Sequence, residues 1–216
     1  MPKNRALKPE LIRRNYSFEI RAEENESGSV ILGRPIVYDS KTDLGRFDEI
    51  IERGALDNAD LTDVRFLVNH DTSMIPLARS RKDTESSTMQ LTVDNDGMGI
   101  RVILDTENNS EARALYSAIK RGDITGMSFM FGISDEEWEN IDSDHPTRHI
   151  RAISAVVEVS AVTFPAYEST EINARDKNAL QNARSAVEAA RRSQQTSVDT
   201  DELELLKLKT KILGGM

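Results

Sequence analysis

The sequence predicts a mainly β chain with packed helices (α+β), its strands forming a mostly antiparallel barrel or sandwich, followed by a C-terminal helical tail. Three observations lead there. Short alternating apolar runs are separated by turns rich in Gly, Asn, Ser and Asp, one amphipathic helix stands among them, and from about Asp176 the composition turns Ala-, Arg- and Gln-rich.

In chain order, Phe18 to Ile20, Ser29 to Tyr38 and Arg65-Phe66-Leu67-Val68-Asn69-His70 read as strands bounded by turn residues. Met89 to Val93 and Gly99 to Leu104 alternate around Asp94-Asn95-Asp96-Gly97, which is a hairpin pattern. Its carboxylates are too few, and its glycine too early, for a standard calcium loop. Ser110 to Arg121 predicts a helix with Ser110 as N-cap, Leu115 and Ile119 on one face and basic residues in the last turn, stopped by Gly122. Gly126 opens a strand over Met127 to Ile133, and a longer strand covers Ala152 to Phe164. Beyond these, Ala179 to Arg192 is helix-prone, Ser193 to Thr200 reads as a flexible linker, and Asp201 to Leu213 is a second helical run carrying Leu203, Leu206 and Leu208.

Composition narrows the chemistry. The 216 residues suffice for one domain with a sizeable core plus an appendage, and the apolar content is 38%. A net charge of -9 argues against a general nucleic-acid surface. With no cysteine in the chain, disulfides, thiol catalysis and thiolate-held zinc are excluded, so chemistry falls to Ser, His and carboxylates. The basic start, Met1 to Lys8, lacks an apolar run behind it, and the most apolar segment, Ala152 to Pro165, carries Glu158 and is too short to span a bilayer. A cytoplasmic protein without membrane attachment is expected.

Two segments carry chemically able side chains beside apolar runs: Asn69-His70-Asp71 and Gly126-Met127-Ser128-Phe129-Met130-Phe131-Gly132. Histidine can take a proton from a serine hydroxyl near neutral pH, so the pair is the minimum kit for nucleophilic hydrolysis. Taken alone, Ser128 reads more readily as a serine in a strand-entry turn and His70 as a histidine capping a strand. Asp71 points away from His70 if the strand continues, which makes it a poor orienting acid. Glu158 lies in an otherwise apolar strand, where a carboxylate either pairs with an imidazolium or faces water from a sheet edge. His145 and His149 compete for the third place. Their spacing of four would suit a metal only on a helix, and Asp142-Ser143-Asp144-His145-Pro146 is turn chemistry, so neither metal nor cofactor is expected. Arg148 and Arg151 could face a substrate carbonyl or pair with carboxylates.

In order, Arg65 to Asp71, Ile75-Pro76-Leu77-Ala78-Arg79, the Asp94 to Gly99 turn, Ile124-Thr125-Gly126-Met127-Ser128-Phe129 and Glu158-Val159-Ser160-Ala161-Val162-Thr163-Phe164-Pro165-Ala166 resemble the prohead protease family of tailed bacteriophages. The resemblance runs from about Ser17 to Arg175. It divides the chain into an N-terminal arm, 1–16, a protease domain, 17–175, and a helical, partly flexible tail, 176–216. It implies a head-maturation serine endopeptidase with a β-barrel of the herpesvirus assembly-protease type. Such an enzyme acts within the host bacterial cytoplasm, inside the procapsid, and cuts the scaffold protein or the scaffold segment of the major capsid protein, and itself. The family histidine matches His70 and its nucleophile Ser128; Glu158 is the closest match for the third member, although the related viral enzymes use a second histidine there. A homodimer or higher self-association is implied as well. The rival from another class is a non-enzymatic internal scaffolding protein on the same fold, for which the acidic surface and helical tail fit equally.

Overall fold

The computed structural model describes residues 11–16, 20–25, 28–81, 86–163, 178–189 and 192. Phe18, the linker from Ser193 to Thr200 and the second helical run from Asp201 to Leu213 lie outside them. Up to residue 162 the elements follow in the order β1 (Leu11–Tyr16), β2 (Ile20–Asn25), β3 (Gly28–Val37), β4 (Thr42–Asp43), β5 (Asp48–Ile51), β6 (Arg65–Val68), β7 (Ala78–Arg79), β8 (Met89–Asp94), β9 (Gly97–Leu104), α1 (Ser110–Arg121), β10 (Gly126–Glu139) and β11 (Thr147–Val162).

The spine is the long antiparallel pair β10 and β11, in register from Gly126 opposite Val162 to Glu139 opposite Thr147, with several bulges. Met127, Phe129 and Phe131 alternate along β10 and are fully buried, and on β11 Ile150, Ile153, Val156 and Val159 are nearly so, spaced by three because bulges shift the register between them. β1 runs antiparallel along the other edge of β10. The far edge of β11 is shared by two short parallel strands, β5 on its first half and β6 on its second, which in turn carry β4 and β7. The remaining strands form a separate antiparallel sheet in the order β2-β3-β9-β8.

The expected closed barrel is therefore corrected to two sheets. A barrel needs one ladder that returns on itself. Here β11 spends its free edge on two unconnected partners, and among the described residues no ladder joins the two sheets. Ile31, Ile36, Phe66, Met98, Val102, Phe129, Phe131 and Val159 fill the space between them at essentially zero exposure. Each such side chain contributes about 1.5–3 kcal/mol on burial.

α1 covers this core with Ala112, Leu115 and Ile119 and packs near β2, β3 and β9. Its N-cap is Asn109, whose side chain accepts from the amides of Glu111 and Ala112; Ser110 is already helical, a correction of one residue. Asn109 wins because its extended backbone, φ -113 and ψ 110, aims the carbonyl oxygen of its side chain at those amides. Gly122 closes the helix in the left-handed conformation, φ 80. At the β8–β9 hairpin, Gly97 has φ 136, and a Cβ there would sit 2.0 Å from the Ile36 carbonyl oxygen. Asp94 at this turn is gripped by both terminal nitrogens of Arg34 at 2.7 and 2.6 Å, which makes it a structural anion rather than a calcium ligand. Residues 178–189 are helical. Leu180 is buried there, and Arg184 donates to the carbonyls of Ile141 and Ser143 at 3.0 and 2.7 Å, docking this helix against the β10–β11 turn.

Candidate active site

Three strands set the site. Ser128 on β10 lies opposite Ser160 on β11, and Met130 lies opposite Glu158. Opposite residues, and residues two apart on a strand, share a face, so Ser128, Glu158 and Ser160 lie together on the face turned away from Phe129 and Phe131. β6 lies on the other side of β11, with Leu67 opposite Ser160 and Val68 opposite Ala161.

His70 arrives from the end of β6, but not as a strand residue. The chain leaves the ladder after Val68, and both Asn69 (φ 51) and His70 (φ 58) are left-handed. That conformation costs a non-glycine residue on the order of 1–2 kcal/mol and needs external support. Asn69 supplies it. Its amide donates to the Ala161 carbonyl at 2.9 Å, its side-chain nitrogen donates to Thr163 Oγ1 at 3.0 Å, and its side-chain oxygen accepts from the Thr163 amide at 2.9 Å. The turn closes with the Asp71 amide donating to the Val68 carbonyl at 3.0 Å. This clamp swings the imidazole back across β11.

The result is a continuous polar chain. Ser128 Oγ is 2.5 Å from His70 Nε2, and His70 Nδ1 is 2.6 Å from Glu158 Oε2. Ser160 Oγ donates to the other carboxylate oxygen, Oε1, and accepts from the His70 amide at 3.0 Å. Ser128 and Ser160 have 0% exposure and Glu158 3%. An isolated carboxylate so deep would be costly, and the ring nitrogen and the Ser160 hydroxyl together offset that cost. A carboxylate at Nδ1 fixes the tautomer with the proton on Nδ1. Nε2 is then left to accept from the Ser128 hydroxyl, the arrangement that proton removal from a nucleophile requires.

The other candidates stand elsewhere. Asp71 bonds the Ser73 amide and hydroxyl at 2.9 and 2.5 Å, and the Ser73 hydroxyl, then the amide, hold its carboxyl below the ordinary value. His145 Nε2 is 3.1 Å from Asp48, and His149 bridges Glu52 at 3.0 Å and Glu139 at 3.4 Å; both lie at the opposite end of the β10–β11 hairpin from Glu158. The two histidines share no ligand set. His145 does approach Asp43 and Asp48 closely enough for a cation, but Lys41 Nζ sits 3.0 Å from Asp48 and supplies positive charge there. Arg148 is buried against Glu49 and Glu136 with its guanidinium over Trp138, and Arg151 pairs with Glu137 and Glu52. Both arginines are thus paired with carboxylates, the second of the two roles the sequence leaves open for them.

Sequence reasoning overlooked Ser160, Asn69 and Thr163. Ser160 was within reach, because its spacing of two from Glu158 in a strand puts both on one face. Asn69 and Thr163 were not, since 94 residues separate the two partners of their clamp.

A hydroxyl, an imidazole and a carboxylate in series on a β scaffold make the arrangement of a serine hydrolase. Residues 16–184 match the caudovirus prohead serine protease family, and the chain belongs to that family, a family of peptidases. The structure is similar to that of the bacteriophage T4 capsid assembly protease, gp21, with 11% sequence identity and a TM-score of 0.43 over 74% of this chain and 100% of that one. Comparison with curated protein sequences finds no match.

Proposed function

We propose that the chain is a serine endopeptidase of phage head maturation that uses Ser128, His70 and Glu158. Ser128 Oγ attacks the scissile carbonyl carbon as its proton passes to His70 Nε2. The tetrahedral adduct collapses when Nε2 returns that proton to the leaving amine, which leaves an acyl group on Ser128. Water then repeats the sequence and frees the enzyme. Glu158 keeps the Nδ1 proton in place and balances the imidazolium between the two transfers. The observation that carries the reading is the unbroken run from Ser128 Oγ through both ring nitrogens to Glu158 Oε2, with contacts of 2.5 and 2.6 Å.

Family membership supports a capsid or scaffold protein as the substrate and the procapsid interior as the place of action. Cleavage of the chain itself, self-association into a homodimer and a targeting role for residues 176–216 belong to the same proposal. Among the described residues no helix is long and apolar enough to cross a membrane. The test is intact mass over time for the wild type and Ser128→Ala, each alone and with the capsid or scaffold protein encoded nearby. Fragments that appear only with the wild type are expected. Wild-type cleavage by Ser128→Ala would overturn the assignment.

A further inference from the structure

Ser128 is assembled with its base and yet entirely enclosed. A hydrolase must bring a carbonyl carbon to about 3 Å from its nucleophile, and a side chain with 0% exposure has no room for one. Within its sheet Ser128 has two flanks. On one side lie β11, with Ser160 directly opposite, and beyond it β6, from whose end the imidazole reaches over. On the other side the in-sheet neighbour is β1, whose Asn15 is in register with Ser128, with Arg14 opposite Phe129 and Tyr16 opposite Met127.

We infer that the edge of β10 held by β1 is the docking edge for the extended polypeptide to be cut, and that Leu11–Tyr16 is this chain's own occupant, keeping Ser128 closed until it is displaced. The inference rests on the nucleophile assignment above.

Three features carry it. Extended peptides bind most directly by adding a strand to an available sheet edge, where main-chain hydrogen bonds supply affinity without demanding a particular sequence. The base comes from the β11 flank, so the opposite in-sheet flank is where such a strand would bring its carbonyl alongside Ser128. Among the described residues β1 is also the end strand of its sheet, hydrogen-bonded in a ladder to β10, whereas β10 stays paired to β11 over its whole length. Losing β1 costs one short ladder and the packing of Ile12 against the core, while the hydroxyl, imidazole and carboxylate all stand on or beside β10, β11 and β6. Furthermore, the family match begins at residue 16, so all of β1 before Tyr16 lies ahead of it.

Because the chain has no cysteine, the strand can be locked reversibly. Leu11 and Gly132 are a register pair, so Leu11→Cys with Gly132→Cys offers one cross-strand disulfide. In the opposite direction, successive strand residues turn their N–H groups to opposite sides, so one of Arg13→Pro and Arg14→Pro deletes a hydrogen bond to β10. The readout is the rate at which a fluorophosphonate probe labels Ser128 in the full-length chain, with Ser128→Ala as the blank. Labelling of the oxidised pair should be slower than that of the reduced pair by about tenfold or more, and one proline variant should label faster than wild type. Equal labelling of oxidised and reduced forms overturns the inference alone. A proline variant that stays folded by circular dichroism but labels more slowly overturns it too, because β1 would then support the site rather than cover it. No labelling of any form overturns the nucleophile assignment and the inference together.

Discussion

Ser160 joins the two halves of the candidate triad: its hydroxyl accepts from the His70 backbone amide at 3.0 Å and donates to Glu158 Oε1. One oxygen therefore ties a left-handed turn to a carboxylate on the neighbouring strand. Ser160→Ala leaves a buried amide and a carboxylate oxygen each short of a partner, at a cost of about 1–3 kcal/mol. Ser160 touches no reacting atom, so kcat should fall about tenfold with KM little changed. The low-field proton resonance of the His70 Nδ1–H should also broaden or move. An unchanged resonance alongside a lowered melting temperature would leave Ser160 a packing residue only.

Glu158→Gln should be more severe. The amide keeps the shape and can still accept from Ser160, but it favours the ring tautomer with its proton on Nε2, facing Ser128. A loss of kcat on the order of 10³ to 10⁴-fold is expected with the fold intact. Steady-state kinetics with a peptide derived from the mapped cut site checks it, and retention of a tenth of wild-type kcat would remove Glu158 from the mechanism.

Arg148→Met should separate stability from activity. The Arg148 and Glu49 side chains are 5% and 0% exposed, 3.5 Å apart, and Arg148 also pairs with Glu136, so removing the cation takes a buried guanidinium away from two carboxylates. Breaking a buried pair in this way typically costs about 3–5 kcal/mol. The pair lies far along β11 from Glu158, so kcat measured well below the melting temperature should be unchanged. Urea denaturation and assays at low temperature give the two numbers.

Acid should weaken the β8–β9 hairpin. The guanidinium of Arg34, helped by the Asp96 amide, holds the Asp94 carboxyl far below its ordinary 3.8. Arg79 likewise lowers Asp63. A depressed folded-state value favours the native state above the ordinary carboxylate range, and that contribution disappears as the pH falls through the folded value. Both carboxylates are exposed, so the effect is modest. The urea midpoint of the wild type should drop from about pH 4 downward to pH 2, and Arg34→Ala should show a smaller drop because Asp94 no longer gains from ionisation. Equal drops would count against the Arg34–Asp94 pair.

What was legible in the sequence was local. Alternation marked β3, β8, β9 and the core of β10, because a half-buried strand must alternate. α1 was legible for the parallel reason at helical period, and its cap slipped by one residue since Asn109 and Ser110 are both good caps and only backbone angles choose between them. β4, β5 and β7 were not legible. Strands of 2 to 4 residues carry too little pattern: the edge of β11 creates β5, and β4 and β7 form only against β5 and β6.

At the site, the sequence by itself determined which side chains could do the chemistry: the absence of cysteine left Ser, His and carboxylates, and the motifs singled out His70, Ser128 and Glu158. Tertiary structure decided how they meet. Glu158 rather than His145 or His149 lies at His70 because β6 pairs with the last turns of β11 and not the first, a register set by partners 93 residues apart, such as Leu67 and Ser160. His70 faces Ser128 because Asn69 is clamped to Thr163 in a backbone conformation that no strand pattern foretells. The 1–16 arm became in part a strand beside Ser128 because a hydrogen-bonding edge of β10 was open to it. Such long-range pairings depend on which edges are free once the core has formed, and a local run of residues carries no record of that.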